Sequence, residues 1–279
     1  NKVKALFMHR IGGILVNSAD SMIISAFIGV VVLGKYSNYT SIAISMSSLM
    51  ALVFTPLTSI IGHTYVSERE KTEQYFQKFY FLNFALGMVF FLGYYAVIDN
   101  LVLILFGNNL ELSRGVSFVV TVNYFVQFMR QATLLFRDAT GTFYNDRWKP
   151  VFEGCLNVVL SIIFVKLFLK VGGDELGIIG VIVATIITNL TICHIVEPFV
   201  LYKYAFQKSV KKHLLRNYFY VALFIVALLG MTALMQNNDN QWIELLSNGA
   251  IAVAISVIII IFTFLADGNI RRNLKIKRN

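Results

Sequence analysis

The segment IAVAISVIIIIFTF, Ile251–Phe264, has no charged residue and almost no strong polar group. It sits inside a longer apolar run, residues 243–266, and a helix needs about 20 such residues to cross the hydrocarbon core of a bilayer. Seven further runs of this kind precede it, at 5–33, 37–65, 79–106, 116–143, 150–170, 177–204 and 215–235. Composition agrees with the runs. Of 279 residues, 57% are hydrophobic and 14% charged, whereas a soluble domain carries about 25% charged residues. That deficit removes most of the solvated surface a globular protein needs. The expected fold class is all-α: a polytopic membrane protein with eight transmembrane helices.

The loops between the runs orient them. On one side of the alternation lie 18 Lys and Arg residues, from Lys2 and Lys4 through Arg69, Lys149 and Lys211 to Arg278; the other side holds Lys35, Arg114 and Lys170. Cytoplasmic loops carry the excess of Lys and Arg, so both termini of the chain are expected in the cytoplasm. Moving one span would destroy the alternation. The segment Ser67–Lys78 (SEREKTEQYFQK) reads as a charged, helical cytoplasmic connector.

A net charge of +9 raises nucleic acid as a partner, but the charge is spread between apolar segments rather than on one soluble face, so no nucleic acid is expected. Cys155 and Cys193 lie inside apolar runs and read as small core residues. No Cys or His cluster has metal-ligand spacing, and neither metal nor cofactor is expected. The chain opens Asn-Lys-Val-Lys with no initiator Met, and His9 and Arg10 already stand in the first apolar run. An N-terminal part is therefore expected to precede it.

Lipid cannot solvate polar groups, so those inside the spans should face protein or a water-filled cavity. In span 1, Arg10, Asn17 and Ser21 share a face, flanked by Gly13 and Asp20. An Asp at mid-span costs about 2.5–3.5 kcal/mol on insertion scales and calls for a partner or water. In span 2, Ser41, Ser45 and Ser48 are small hydroxyls suited to close helix packing, and Pro56 can kink the helix. Span 4 carries Asn123, Gln127, Arg130 and Arg137. Arg130 could hold an anion by a bidentate contact or pair within the bundle with Asp20 or Glu153. Arg137, nearer the cytoplasmic end, could snorkel. Span 5 aligns Glu153, Asn157 and Ser161, with Lys166 snorkelling outward. Span 6 holds Thr185, Thr188, Asn189, His194 and Glu197, the last two one turn apart as a structural or proton-coupled pair. Spans 7 and 8 read as lipid-facing accessory helices. No nucleophile–His–acid set, metal motif or clustered carboxylate pair is present, and no loop is long enough for a catalytic domain, so an enzyme is not expected.

Three stretches carry a family resemblance: His9–Ser25 (HRIGGILVNSADSMIIS) with Gly34–Tyr39 (GKYSNY), Phe136–Asn157 (FRDATGTFYNDRWKPVFEGCLN) and Glu175–Thr188 (ELGIIGVIVATIIT). In order and spacing they resemble the second half of bacterial polysaccharide flippases, of the multidrug/oligosaccharidyl-lipid/polysaccharide exporter superfamily. Ala184 stands where a glycine is common in that family, which bears on local packing only. The resemblance covers nearly the whole chain. It implies a second six-helix lobe over 1–206 and two accessory helices with a basic tail over 207–279, the first lobe being missing. It further implies movement of undecaprenyl-diphosphate-linked oligosaccharides across the bacterial cytoplasmic membrane by alternating access, beside membrane lipids and with polysaccharide polymerase and assembly proteins as partners. On that reading Arg10, Arg130 and Arg137 are candidates for the diphosphate site. Asn17, Gln127 and Asn157 line the sugar path. Asp20 and Glu153 bind a coupling ion or act as structural partners. A cation-coupled drug exporter of the same superfamily and a membrane enzyme or scaffold of polysaccharide assembly are the alternatives.

Overall fold

A computed structural model describes residues 18–107 and 109–266, and these are helical with no strand among them. A first helix, α1, covers 18–27 of the described residues. Then follow α2 (Val30–Phe54), α3 (Leu57–Ser67), α4 (Arg69–Phe106), α5 (Arg114–Ala139), α6 (Lys149–Thr188), α7 (His194–Val200), α8 (Lys211–Leu234) and α9 (Gln241–Ala266). Four helical stretches are long and apolar enough to cross a membrane: Arg69–Phe106, Lys149–Phe206, Lys211–Leu234 and Gln241–Ala266. The pair α2–α3 makes a fifth if its two parts form one span. The protein is therefore a membrane-embedded helical bundle.

The bend between α2 and α3 is 42° and falls at Thr55–Pro56. Pro56 has no N–H to offer the preceding turn, and its ring crowds the carbonyl there. Helix α4 has 38 residues, a rod of about 57 Å against about 30 Å of hydrocarbon. Its charged first turns, Arg69–Lys78, therefore extend beyond the apolar layer. They continue the same helix rather than forming a separate connector.

The stretch Lys149–Phe206 contains a break. Gly172 (φ −159°, ψ 25°) and Gly173 (φ 77°, ψ −160°) are not helical. The chain folds back there into two antiparallel arms. Their inner faces meet at Asn157 with Thr185 and at Lys149 with Glu197, and at Gly180, where a Cβ would lie 2.8 Å from the Phe164 carbonyl oxygen. The conformation of Gly173 is essentially open to glycine alone, so Gly173→Ala is expected to cost about 1–3 kcal/mol. Thermal unfolding of the purified protein reads this directly; an unchanged midpoint would mean that the turn relaxes freely. The second arm passes through π-helical turns at Asn189–Cys193 and Leu201–Phe206, on either side of Pro198. A proline inside a helix lacks one N–H, and such bulges take up the displaced residue.

The main core is aromatic and joins α4, α5, α8 and α9. Phe125 of α5 stacks on Phe224 of α8 at 3.7 Å, and Phe84 of α4 on Tyr220 at 4.0 Å. This corrects the expectation of a peripheral α8. His213, Asn217, Tyr220, Phe224, Leu228 and Met231 form one buried face of it, with the polar His213 just before the apolar run and Asn217 at its start. Helix α9 matches that expectation better. Its buried residues are only Asn248, Ala252, Ser256 and Thr263, small or polar groups that let it lie close on α4, with Ser256 Oγ donating to the Met88 carbonyl at 3.3 Å.

Candidate functional site

The polar face of α5 meets the inner faces of the α6 hairpin, and there the structure gathers four charges. Arg130 of α5 presents its guanidinium edge to Glu197 of the returning arm, with Nη2–Oε1 at 2.6 Å and Nε–Oε2 at 3.2 Å. Its Nη1 donates to Asn189 Oδ1 at 2.6 Å and reaches Glu153 Oε1 of the outgoing arm at 3.4 Å. Lys149, one turn before Glu153, donates to Glu153 Oε2 at 2.8 Å and to Glu197 Oε1 at 2.5 Å. Two cations and two carboxylates thus balance. Glu197 is 1% exposed, and a charge that dry is tolerated only when paired and hydrogen-bonded.

Of the carboxylates expected as partners of Arg130, the structure pairs it with Glu153. Its partners are Glu153 and Glu197, and Asp20 is not among them. Lys149, counted in the sequence as a loop cation, belongs to the same cluster. The signal for it was present, since Lys149 and Glu153 stand at i and i+4 on one helix face. The expected His194–Glu197 pair does not form. His194 Nε2 lies 3.0 Å from the Val126 carbonyl and Nδ1 lies 3.0 Å from Asn217 Oδ1, while Glu197 is occupied by the two cations. Both residues stand on the same helical segment, His194–Val200, and each is taken up by partners on neighbouring helices.

A second polar group continues along the same hairpin face. Thr185 Oγ1 donates to the Asp20 carboxylate, with contacts of 2.8 and 3.0 Å to its two oxygens. Asn157 Nδ2 donates to Thr185 Oγ1 at 2.8 Å. Asn189 Nδ2 donates to the Thr185 carbonyl at 3.1 Å while its Oδ1 accepts from Arg130. Asn189 therefore bridges the Asp20 group and the ionic cluster. Gln127 Nε2 donates to Asn123 Oδ1 on its own helix at 3.2 Å and is half-buried.

No family model, curated protein or solved structure matches this chain.

The remaining expected residues are placed differently. Arg137 does not snorkel. It is 8% exposed, its Nη1 donating to Asp146 Oδ2 at 3.0 Å and its Nε and Nη2 to Asp138 Oδ1 at 3.0 Å. It thereby pins the α5–α6 turn, where Gly141 takes a left-handed conformation (φ 70°) after the helix end. Ser41, Ser45 and Ser48 are exposed, so they do not mediate packing among the described residues; Ser41 and Ser45 donate to carbonyls of their own helix. Lys166 is exposed as expected and lies over the Phe27 ring. Arg10 and Asn17 lie outside the described residues.

Chemically, the cluster is a closed, charge-balanced set of two cations and two carboxylates. A guanidinium fork and an ammonium converge from two helices in a dry environment, and both are held by side-chain carboxylates. A phosphate group entering there would compete with Glu153 and Glu197 for the same donors.

Proposed function

We propose that this chain is the second lobe, with two added helices, of a flippase in the bacterial cytoplasmic membrane. It would move undecaprenyl-diphosphate-linked oligosaccharides toward the outer leaflet by alternating access. The observation that carries the reading is the neutral Arg130–Lys149–Glu153–Glu197 cluster at the junction of α5 and the α6 hairpin. A lipid diphosphate needs cations inside the membrane, yet an empty carrier cannot leave them bare. Carboxylates that release Arg130 and Lys149 to the incoming diphosphate and re-pair after its departure meet both needs. On this reading Glu153 serves as the structural partner, Arg10 joins the anion site, and Asn17, Gln127 and Asn157 line the sugar path. Arg137 serves the diphosphate only if its pairs with Asp138 and Asp146 open.

Eight spans follow if the long stretch is divided at Gly172–Gly173, the bent α2–α3 pair is one span, and α1 and α5 also cross. Helix α5 has sufficient length, and its polar stripe lowers its apolarity. The Lys and Arg asymmetry then puts both chain ends in the cytoplasm. Polysaccharide polymerase and assembly proteins are the partners in this reading.

The second reading, a cation-coupled exporter, is favoured by one observation. The carboxylate of Asp20 is met by the hydroxyl of Thr185 and by no cation among the described residues, so it could take a proton or metal cation.

The deciding experiment reconstitutes the full-length protein in liposomes and follows flipping of a fluorescent polyprenyl-diphosphate sugar. Wild type is compared with Arg10→Ala, Arg130→Lys and Arg130→Ala at equal folded amounts. Flipping is expected to fall at least about tenfold in both alanine variants, the equivalent of one lost charge-assisted contact of about 1.5–3 kcal/mol. Arg130→Lys should fall between, because an ammonium keeps the charge without the fork. Wild-type protein that flips no such lipid but exports a cationic dye would sink the flippase reading in favour of the exporter.

A further inference from the structure

A groove of about 650 Å³ runs between α3 and α4 on the outer face of the bundle. One end is apolar, walled by Leu57, Ile61, Phe79, Leu82, Ala85 and Phe136. The other end is more polar, with Thr64, Thr72, Tyr75 and Lys78. Because the Arg69–Lys78 turns of α4 lie outside the apolar layer and the helix enters it after Lys78, the polar end lies at the membrane surface and the apolar end toward its interior. From Lys78 to Ala85 the groove descends about 10 Å along α4, within the roughly 15 Å of a single leaflet.

Lys78 is half-buried, and among the described residues it has no carboxylate partner; its ammonium rests 5.8 Å from the centre of the Tyr75 ring. Glu73, one turn earlier on α4, is paired with Lys208 and accepts from Gln77. The mouth of the groove therefore carries one uncompensated positive charge above an apolar slot. A molecule that complements both has a hydrocarbon chain and an anionic group at interfacial depth.

The geometry points to a binding site for an anionic phospholipid, with one acyl chain between α3 and α4 and its phosphate on Lys78. The site is separate from the Arg130 cluster and does not depend on the function proposed for it. A zwitterionic lipid would place a second cation near Lys78 and gain less. A free phosphate has no use for the apolar slot.

The test measures lipids retained by the full-length protein after purification in mild detergent, by native mass spectrometry, against their proportions in the source membrane. Wild type is expected to retain anionic phospholipid above its membrane share, by about fivefold, the selectivity one interfacial lysine supplies. Lys78→Gln should bring the retained lipid back to the membrane ratio. Ala85→Phe, which fills the slot, should lower total retention with the elution profile unchanged. Wild-type retention at the membrane ratio, or equal enrichment in Lys78→Gln, overturns the proposal. So does capture of a polyprenyl phosphate in place of phospholipid. Displacement of the anionic lipid by inorganic phosphate together with unchanged retention in Ala85→Phe would show a phosphate site without the chain slot, and would overturn it as well.

Discussion

Glu197→Ala is expected to destabilise the protein by about 3–5 kcal/mol, the range for breaking a buried ion pair by removing one partner. Glu197 accepts from both cations of the cluster. Without it, Arg130 and Lys149 share the single carboxylate of Glu153, and one positive charge stays in a dry site with no counterion. Thermal unfolding in detergent should show a large drop in midpoint or a failure to accumulate in the membrane. The companion variant separates charge balance from mere side-chain loss. Removing Lys149 as well, in Glu197→Leu with Lys149→Met, leaves Arg130 paired with Glu153 and restores neutrality. It is expected to regain most of the lost stability, since well-packed apolar replacements of buried charges are often neutral. A Glu197→Ala protein as stable as wild type would show that water or a rearrangement compensates the cations.

The second large effect is expected at Gly180→Ala. The added Cβ would stand 2.8 Å from the Phe164 carbonyl oxygen, a backbone atom that cannot rotate aside. The two hairpin arms must separate by several tenths of an ångström. The Asn157–Thr185 contact and the Lys149–Glu197 pair lie on the same interface and would lengthen with it. Overpacking of this kind costs about 1–3 kcal/mol. Gly93→Ala is the control: a Cβ there meets nothing within 4 Å, and alanine is the better helix former by about 0.8–1.0 kcal/mol. The two substitutions should therefore shift the unfolding midpoint in opposite directions. A neutral Gly180→Ala would mean that the arms are not packed as closely as the backbone geometry has them.

Helix positions were legible in the sequence because a run of some 20 apolar residues has few other uses. So was the polar face of α5, since Asn123, Gln127 and Arg130 recur at helical spacing. Periodicity tells which residues of one helix share a face; it does not tell which faces meet. That limit explains the particular differences. Glu153 was recognised as a candidate partner of Arg130, but Glu197 was assigned to His194, its neighbour along the chain, whereas His194 meets Val126 and Asn217 and Glu197 meets Arg130 and Lys149. Lys149 was read as topology because basic residues at a span end usually are, yet its position one turn before Glu153 turns it inward. His213 escaped notice because it precedes the apolar run 215–235, and Asn217 because it stands alone at the start of that run. The Thr185–Asp20 contact joins elements 165 residues apart, and no local pattern reports such a distance.

The neutrality of the Arg130 cluster has an electrical consequence. An elementary charge carried across the full membrane potential exchanges about 2.3 kcal/mol per 100 mV. Four charges that travel together and sum to zero exchange none. If the cluster moves with its pairs intact, its own displacement is silent to the membrane voltage and adds no voltage dependence to the rate. Voltage would enter only in a step that parts Arg130 or Lys149 from the carboxylates, so a voltage-dependent rate would time the opening of the cluster within any working cycle.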